Sequence, residues 1–263
     1  MTKTILAITI AACCSVTLVA QQAAGVSAQI QVTGNGNGDQ AYAAGFMAGW
    51  MAAGRVVGKP YSATEVTRSV QTLASGGHIN KTTTQLFWQD AEGRTRMETT
   101  DDRHRVMIAD PIAQLHYNID MDAMTARKTV VRMAGDSAGK PAGDVSLFAS
   151  TREAMKDRPH LLVEDLGTQF MNGVSVQGVR VTTTIPVGSI GNDQELKSVT
   201  ERWYSNDIHA LVKTVTSDPR SGTYTYELTN IVRVAPDPAL FQVPAGVTMV
   251  RPQPFSISVK KNQ

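Results

Sequence analysis

A hydrophobic period of two constrains this chain more than any other feature. Ala113, Leu115, Tyr117, Ile119 and Met121 alternate with Gln114, His116, Asn118 and Asp120. Successive side chains of a β-strand point to opposite faces, so the segment predicts a half-buried strand whose wet face carries a solvated His116. Tyr224, Tyr226, Leu228, Asn230, Val232 and Val234 repeat the pattern against Thr225, Glu227, Thr229 and Arg233.

Turn residues punctuate the chain between such segments from Lys59 onward. Gly76-Gly77 and Ala91-Glu92-Gly93 read as hairpin connections, because glycine supplies the positive φ that tight turns require. Asp218-Pro219-Arg220-Ser221-Gly222 does the same between Ile208–Ser217 and Thr223–Val234. Ser62-Ala63-Thr64-Glu65 matches a helix capping box, yet Thr64, Val66, Thr67, Val70 and Thr72 are β-branched and a glycine pair follows, so we read a strand. Gly173–Pro186 and Leu196–Ser205 complete a meander of about ten antiparallel strands, paired locally. Residues 135–160 interrupt it as a long loop, with a short helix expected around Thr151–Lys156. The fold class expected is therefore mainly β, a curled antiparallel sheet of half-barrel form with one or two short helices. Such a sheet must cover its concave apolar face with a helix, its own side chains or a ligand.

The first residues read as an address. Met1-Thr2-Lys3 is a short basic start, Ile5–Ala20 carries no charge, and Val26-Ser27-Ala28 offers a peptidase site. A signal peptide over 1–28 follows, with cleavage after Ala20 as the alternative, and with it a secreted or periplasmic location. Both cysteines, Cys13 and Cys14, fall inside this segment. Ile10-Ala11-Ala12-Cys13 also has lipobox residue types, although the apolar run continues past it, and a retained anchor is a further alternative. Residues 29–59 read as a Gly/Ala-rich flexible lead containing Gly34–Gly38 and the uncharged Ala41–Gly54. Residues 60–250 form the β domain, and 251–263 a frayed tail.

Little chemistry is written locally. A net charge of +2, with its Lys and Arg scattered, does not form the basic stripe that nucleic acid requires. His78, His104, His116, His160 and His209 lack metal-ligand spacing, so neither metal nor cofactor is expected. Asp120 and Asp122 share a strand face, and Asp101 and Asp102 precede His104, but aspartates at turns usually accept backbone hydrogen bonds. No serine elbow or phosphate loop is present. What remains is the apolar face, on which Phe87, Leu115, Tyr117, Trp203, Tyr224 and Tyr226 are candidate ligand-binding residues, with Trp88 and Tyr204 beside them.

Several strings carry a resemblance. Pro60-Tyr61-Ser62-Ala63, Asp90–Arg96, Ile108-Ala109-Asp110-Pro111, Thr125-Ala126-Arg127-Lys128, Glu201-Arg202-Trp203-Tyr204-Ser205 and Pro236–Pro244 resemble a group of exported bacterial proteins of unassigned activity. More distantly, the layout is similar to the LolA/LolB-like lipoprotein-sorting fold. That resemblance implies a half-barrel with a concave hydrophobic face, and an acyl chain or lipid-modified protein as ligand. The family places helices across the concavity, where this chain offers only 139–158 or 41–57, and no binding residue carries over. The function expected is a non-enzymatic envelope protein binding a lipid or other amphipathic component. One alternative is an interaction module that docks on a partner or membrane through residues 41–54. The other is a hydrolase whose site the fold assembles from Asp120, Asp122, His116 and His209.

Overall fold

In a computed structural model of the chain, the alternating segments are strands. The structure describes residues 56–73, 75–99, 103–130, 144 and 146–250, together with three further strands. In chain order the first elements are β1 (Val16–Gln21), β2 (Ser27–Thr33), β3 (Tyr61–Thr72) and β4 (His78–Gln89). Four short strands follow, β5 (Thr95–Thr99), β6 (Arg105–Asp110), β7 (Leu115–Asp120) and β8 (Thr125–Val130). Helix α1 (Leu147–Met155) precedes β9 (Leu161–Met171), β10 (Val174–Ile185) and β11 (Leu196–Ser205). The chain ends with β12 (Ala210–Asp218), β13 (Gly222–Val232), a 3-10 turn (Pro238–Phe241), β14 (Thr248–Val250) and β15 (Ser256–Lys261).

Two compact units result. Residues 1–21, 27–52 and 253–263 form one, containing the antiparallel sheet β1-β2-β15. Thus β1 runs through the segment read as a leader, and β15 through the segment read as a frayed tail. Gly34–Gly38, Ala41–Gly54 and Asp101-Asp102 lie outside the described residues. The second unit, residues 22–26 and 53–252, holds a twelve-stranded sheet of order β14-β8-β7-β6-β5-β4-β3-β13-β12-β11-β10-β9.

The half-barrel expectation is corrected here. The sheet is open, neither closed nor strongly curled, with β14 and β9 as its two edges. Alternation sets which face each side chain takes within a strand. Curvature depends instead on the twist between strands and on bulges, which a period of two does not encode. Bulges interrupt the register at Gly178/Val179, Trp203/Tyr204 and Thr229/Val232. The meander is also not wholly antiparallel, since Thr248–Val250 runs parallel to Thr125–Arg127.

Turn chemistry explains the neighbouring pairings. Asp110 Oδ1 accepts from the Ile112 and Ala113 amides, and Asp120 Oδ1 from that of Ala123. Each of these connections ends in a left-handed residue, Gln114 (φ 54°) or Met124 (φ 50°), as does the β11–β12 connection at His209 (φ 51°). The side-chain cap holds the first part of the turn, and the left-handed residue re-aims the chain into the next strand.

Burial divides into three clusters. Tyr61, Ala63, Phe87, Val174, Val176, Trp203, Ile208, Val212 and Leu228 form the largest. Within it Gly178 is required by packing, because an added Cβ would lie 2.4 Å from the Trp203 ring. A second cluster joins Val106, Ile108, Ile119 and Ala126 to Val243 and Val247 of the C-terminal segment. Full burial of a Val or Ile side chain contributes about 1.5–3 kcal/mol. That segment is fastened by Arg96, whose guanidinium lies 5.8 Å from the Trp88 ring centre and donates to the Leu240 carbonyl at 3.2 Å. Phe241 packs under Arg94 at 5.3 Å. The third cluster, Leu147, Val179 and Tyr204, sits between α1 and the sheet.

Candidate functional site

Strand register places the polar groups of the long-strand half in rows. Thr83, Thr67, Tyr226, Thr214, Arg202, Val179 and Asp165 occupy one row across β4, β3, β13, β12, β11, β10 and β9. Toward the β3–β4 tip the next row on the same face is Lys81, Ser69, Tyr224, Thr216, Thr200, Val181 and Val163. Away from the tip the next row contains Gln85, Glu65 and Leu228. These rows therefore bring the carboxyls of Glu65 and Asp165, the Arg202 guanidinium and the Lys81 ammonium onto a face whose other groups are mainly hydroxyl and apolar.

Glu65 is half-buried beside the largest cluster, and its Oε1 accepts from the Tyr226 hydroxyl at 3.1 Å. Burial pushes its carboxyl up to about 7, against the opposing pull of that hydrogen bond. Tyr226 is in turn held well above the ordinary tyrosine value, first by burial and then by the neighbouring Glu65 charge.

Arg202 lies under α1, which the sequence builds as an amphipathic helix. Ser146 caps it by accepting from the Ala149 amide, and the Leu147 amide donates to Gln177 Oε1 on β10. Leu147, Thr151 and Met155, spaced four apart, form its buried face. Arg202 Nη2 donates to Thr151 Oγ1 at 3.4 Å, while its buried Nε has no hydrogen-bond partner. Desolvation lowers its affinity for the proton. The adjacent Glu201 is engaged by Arg180 at 2.7 Å.

The structure separates the residues singled out by sequence. Phe87 and Trp203 are buried in the largest cluster, Phe87 with its ring centre 5.4 Å from that of Tyr61, and Tyr226 packs against that cluster. Tyr117 packs on the second cluster, Leu115 is half-buried opposite Asp110 and Val130, and Tyr224 is exposed. Trp88 stacks with Arg96, and Tyr204, pushed up to about 12 by burial, lies beneath α1.

His116 requires a correction. It is 3 % exposed rather than solvated, opposite Ala109, which is fully buried, and burial depresses its imidazole to about 4. β7 lies inside the sheet with buried groups on both faces, so its polar alternates are not all wet. The proposed acid–base set is dispersed. Asp120 caps its turn, Asp122 accepts from the His104 amide, and His209 pairs with Asp144 at 2.8 Å. Among the described residues no group of three or more His, Cys, Asp or Glu comes together as a metal site. Sequence reasoning passed over Glu65 and Arg202. The available signal was a charge at an inward-facing strand position, Glu65 two residues from Ala63 and Arg202 two from Tyr204.

No family model matches the chain, and no curated protein does. Among solved structures the chain is similar to an uncharacterized conserved protein from Thermus thermophilus, with 9 % identity, a TM-score of 0.41, and coverage of 74 % of this chain and 91 % of that one. It is similar to the Pseudomonas aeruginosa MucA/MucB complex structure at 15 % identity and a TM-score of 0.42, covering 76 % of this chain and 60 % of that one. It is also similar to a LolA superfamily protein from Nitrosomonas europaea at 8 % identity and a TM-score of 0.31, covering 73 % and 96 %. These are distant, LolA/LolB-like resemblances.

Proposed function

We propose that the chain is a non-enzymatic, exported envelope protein that binds a lipid, acyl chain or other amphipathic envelope component at the long-strand half of its open sheet. The observation that carries this reading is a rim of exposed apolar groups at one end of that half. Val70, Leu73 and Ile79 are exposed on the β3–β4 hairpin, and Tyr224 on the adjoining β13. Val187 and Ile190 on the β10–β11 connection and Leu162 on β9 are exposed at the same end.

Charge complements this rim. Between Val66 and Thr84 the chain has Arg68 and Lys81 and no acidic residue. Apolar tips flanked by cations suit the boundary between acyl chains and anionic head groups, where a buried CH2 contributes about 0.8 kcal/mol. The basic start and apolar run of residues 1–20 support export, and dispersal of the candidate acid–base residues supports a binding role. Protein purified from its own envelope is expected to carry lipid in native mass spectrometry, and a Leu73→Ser/Ile79→Ser variant to carry much less. Lipid-free protein that also fails to float with anionic vesicles would overturn the proposal.

A further inference from the structure

Among the described residues Arg202 has no counter-ion, unlike Arg96 on β5 and unlike Arg94 and Arg220 at the turns. Arg96 shares Glu98, Arg94 shares Asp90, and Arg220 shares Asp218. Among the described residues no ion pair engages Arg202. Its one hydrogen bond, to Thr151, is long, and its Nε is buried and unsatisfied. A guanidinium has five donors and does not lose its charge in a protein, so half-burial with one long acceptor is a standing cost. An anionic group from outside the chain would offset that cost.

The surroundings indicate what does. Thr151 is buried above Arg202, Thr214 is its cross-strand neighbour, and Thr200 lies two residues along β11 on the same face. These hydroxyls donate readily to an oxyanion. Tyr224 and Ile79 stand on the same face nearer the tip, both exposed, while Val179 and Tyr204 flank the guanidinium beneath α1. A cation set behind hydroxyls, with apolar groups leading to an open rim, matches a molecule having one anionic end and an aliphatic remainder.

We infer that Arg202, with Thr151 and Thr214, anchors the oxyanion head, carboxylate or phosphate, of an amphiphile whose chain lies toward Tyr224 and Ile79. This deepens the lipid-binding proposal and rests on it. The head group completes the guanidinium's empty donors, and charge-assisted bonds of this kind are about twice as strong as neutral ones.

Calorimetric titration of the exported chain with laurate, lauryl phosphate and uncharged methyl laurate, each below its micelle concentration, provides the test. The wild type is expected to bind at least one of the anionic ligands roughly tenfold more tightly than methyl laurate. Arg202→Met should lose that preference while its affinity for methyl laurate stays unchanged, and Arg202→Lys should retain part of it. The ligand-free Arg202→Met protein should melt no lower than wild type, since a desolvated charge is replaced by an apolar chain; destabilisation with the preference intact would mark Arg202 as purely structural and overturn the anchor. Preference for laurate alone supports a free fatty acid, and for lauryl phosphate alone a phospholipid head. Equal wild-type affinity for all three overturns the anchor but leaves lipid binding standing, whereas failure of all three to bind overturns both.

Discussion

The short-strand and long-strand halves of the sheet follow the same alternation and reach different ends. β5 to β8 have five or six residues each, are joined by compact turns, and are roofed by Val243 and Val247. Arg96, their buried arginine, is matched. Arg96 and His104 both engage Glu98 at 2.6 Å, and although burial alone would raise its carboxyl, their hydrogen bonds outweigh this and lower it. β3, β4 and β9 to β13 run nine to twelve residues, carry the bulges, and end in exposed apolar tips. Among the described residues, Glu65 and Arg202 here have no ion-pair partner. One half closes its buried charge on a partner, and the other leaves two inward-facing groups without one.

The largest expected effect contrasts a core side chain with a rim side chain. Ile119→Ala empties a fully buried site and should cost about 2–5 kcal/mol in a denaturant titration. Leu73→Ser, at an exposed tip, should stay within about 0.5 kcal/mol. Similar losses at both would erase the distinction between the halves.

Acidity gives the next contrast, because the two halves titrate with opposite sign. Glu65 is raised from 4.5 to about 7, so the folded protein holds its proton more tightly and stability falls as pH climbs through that interval. His116 is lowered from 6.5 to about 4, so its contribution is present above 6.5 and is lost as pH drops toward 4. Each is worth up to about 3 kcal/mol and they nearly cancel between pH 5 and 6.5. Glu65→Gln should therefore reveal stability rising with pH across that range, and His116→Gln stability falling with it. Unfolding free energies measured from pH 4.5 to 8 check both, and parallel slopes in the two variants would refute the assignment. The smallest effect expected is at α1, where Ser146→Ala should cost about 1 kcal/mol by removing the cap.

Much of the architecture was legible in the sequence because it is local. β-branched density made Tyr61–Thr72 a strand despite its capping-box spelling, and Leu196–Ser205 is a strand with the bounds read from the residues. Asn172-Gly173, between Met171 and Val174, is a hairpin dipeptide with φ of 50° and 90°, and the reading from sequence took its glycine as the start of the strand Gly173–Pro186. The pairing of β3 with β13 joins Val70 to Thr223 across intervening strands, and no local pattern announces it. His116 was misread for the same reason, since coverage of its face is a tertiary fact. The site was the least legible part. An unpaired arginine looks in sequence like any other, and only the register shows that Arg202 has no carboxylate beside it.

An open sheet leaves two borders where a foreign strand can add, and the chain defends them differently. β14 is too short to template growth, with three residues. β9 is long, but Asp165 folds back on the Gly167 amide at 2.8 Å and the bulge at Gly178/Val179 breaks its register. Acid and irregularity together blunt that border against fibre formation. Straightening that kink of one residue would leave the longer border with an unbroken row of backbone donors and acceptors, the template on which a foreign strand grows.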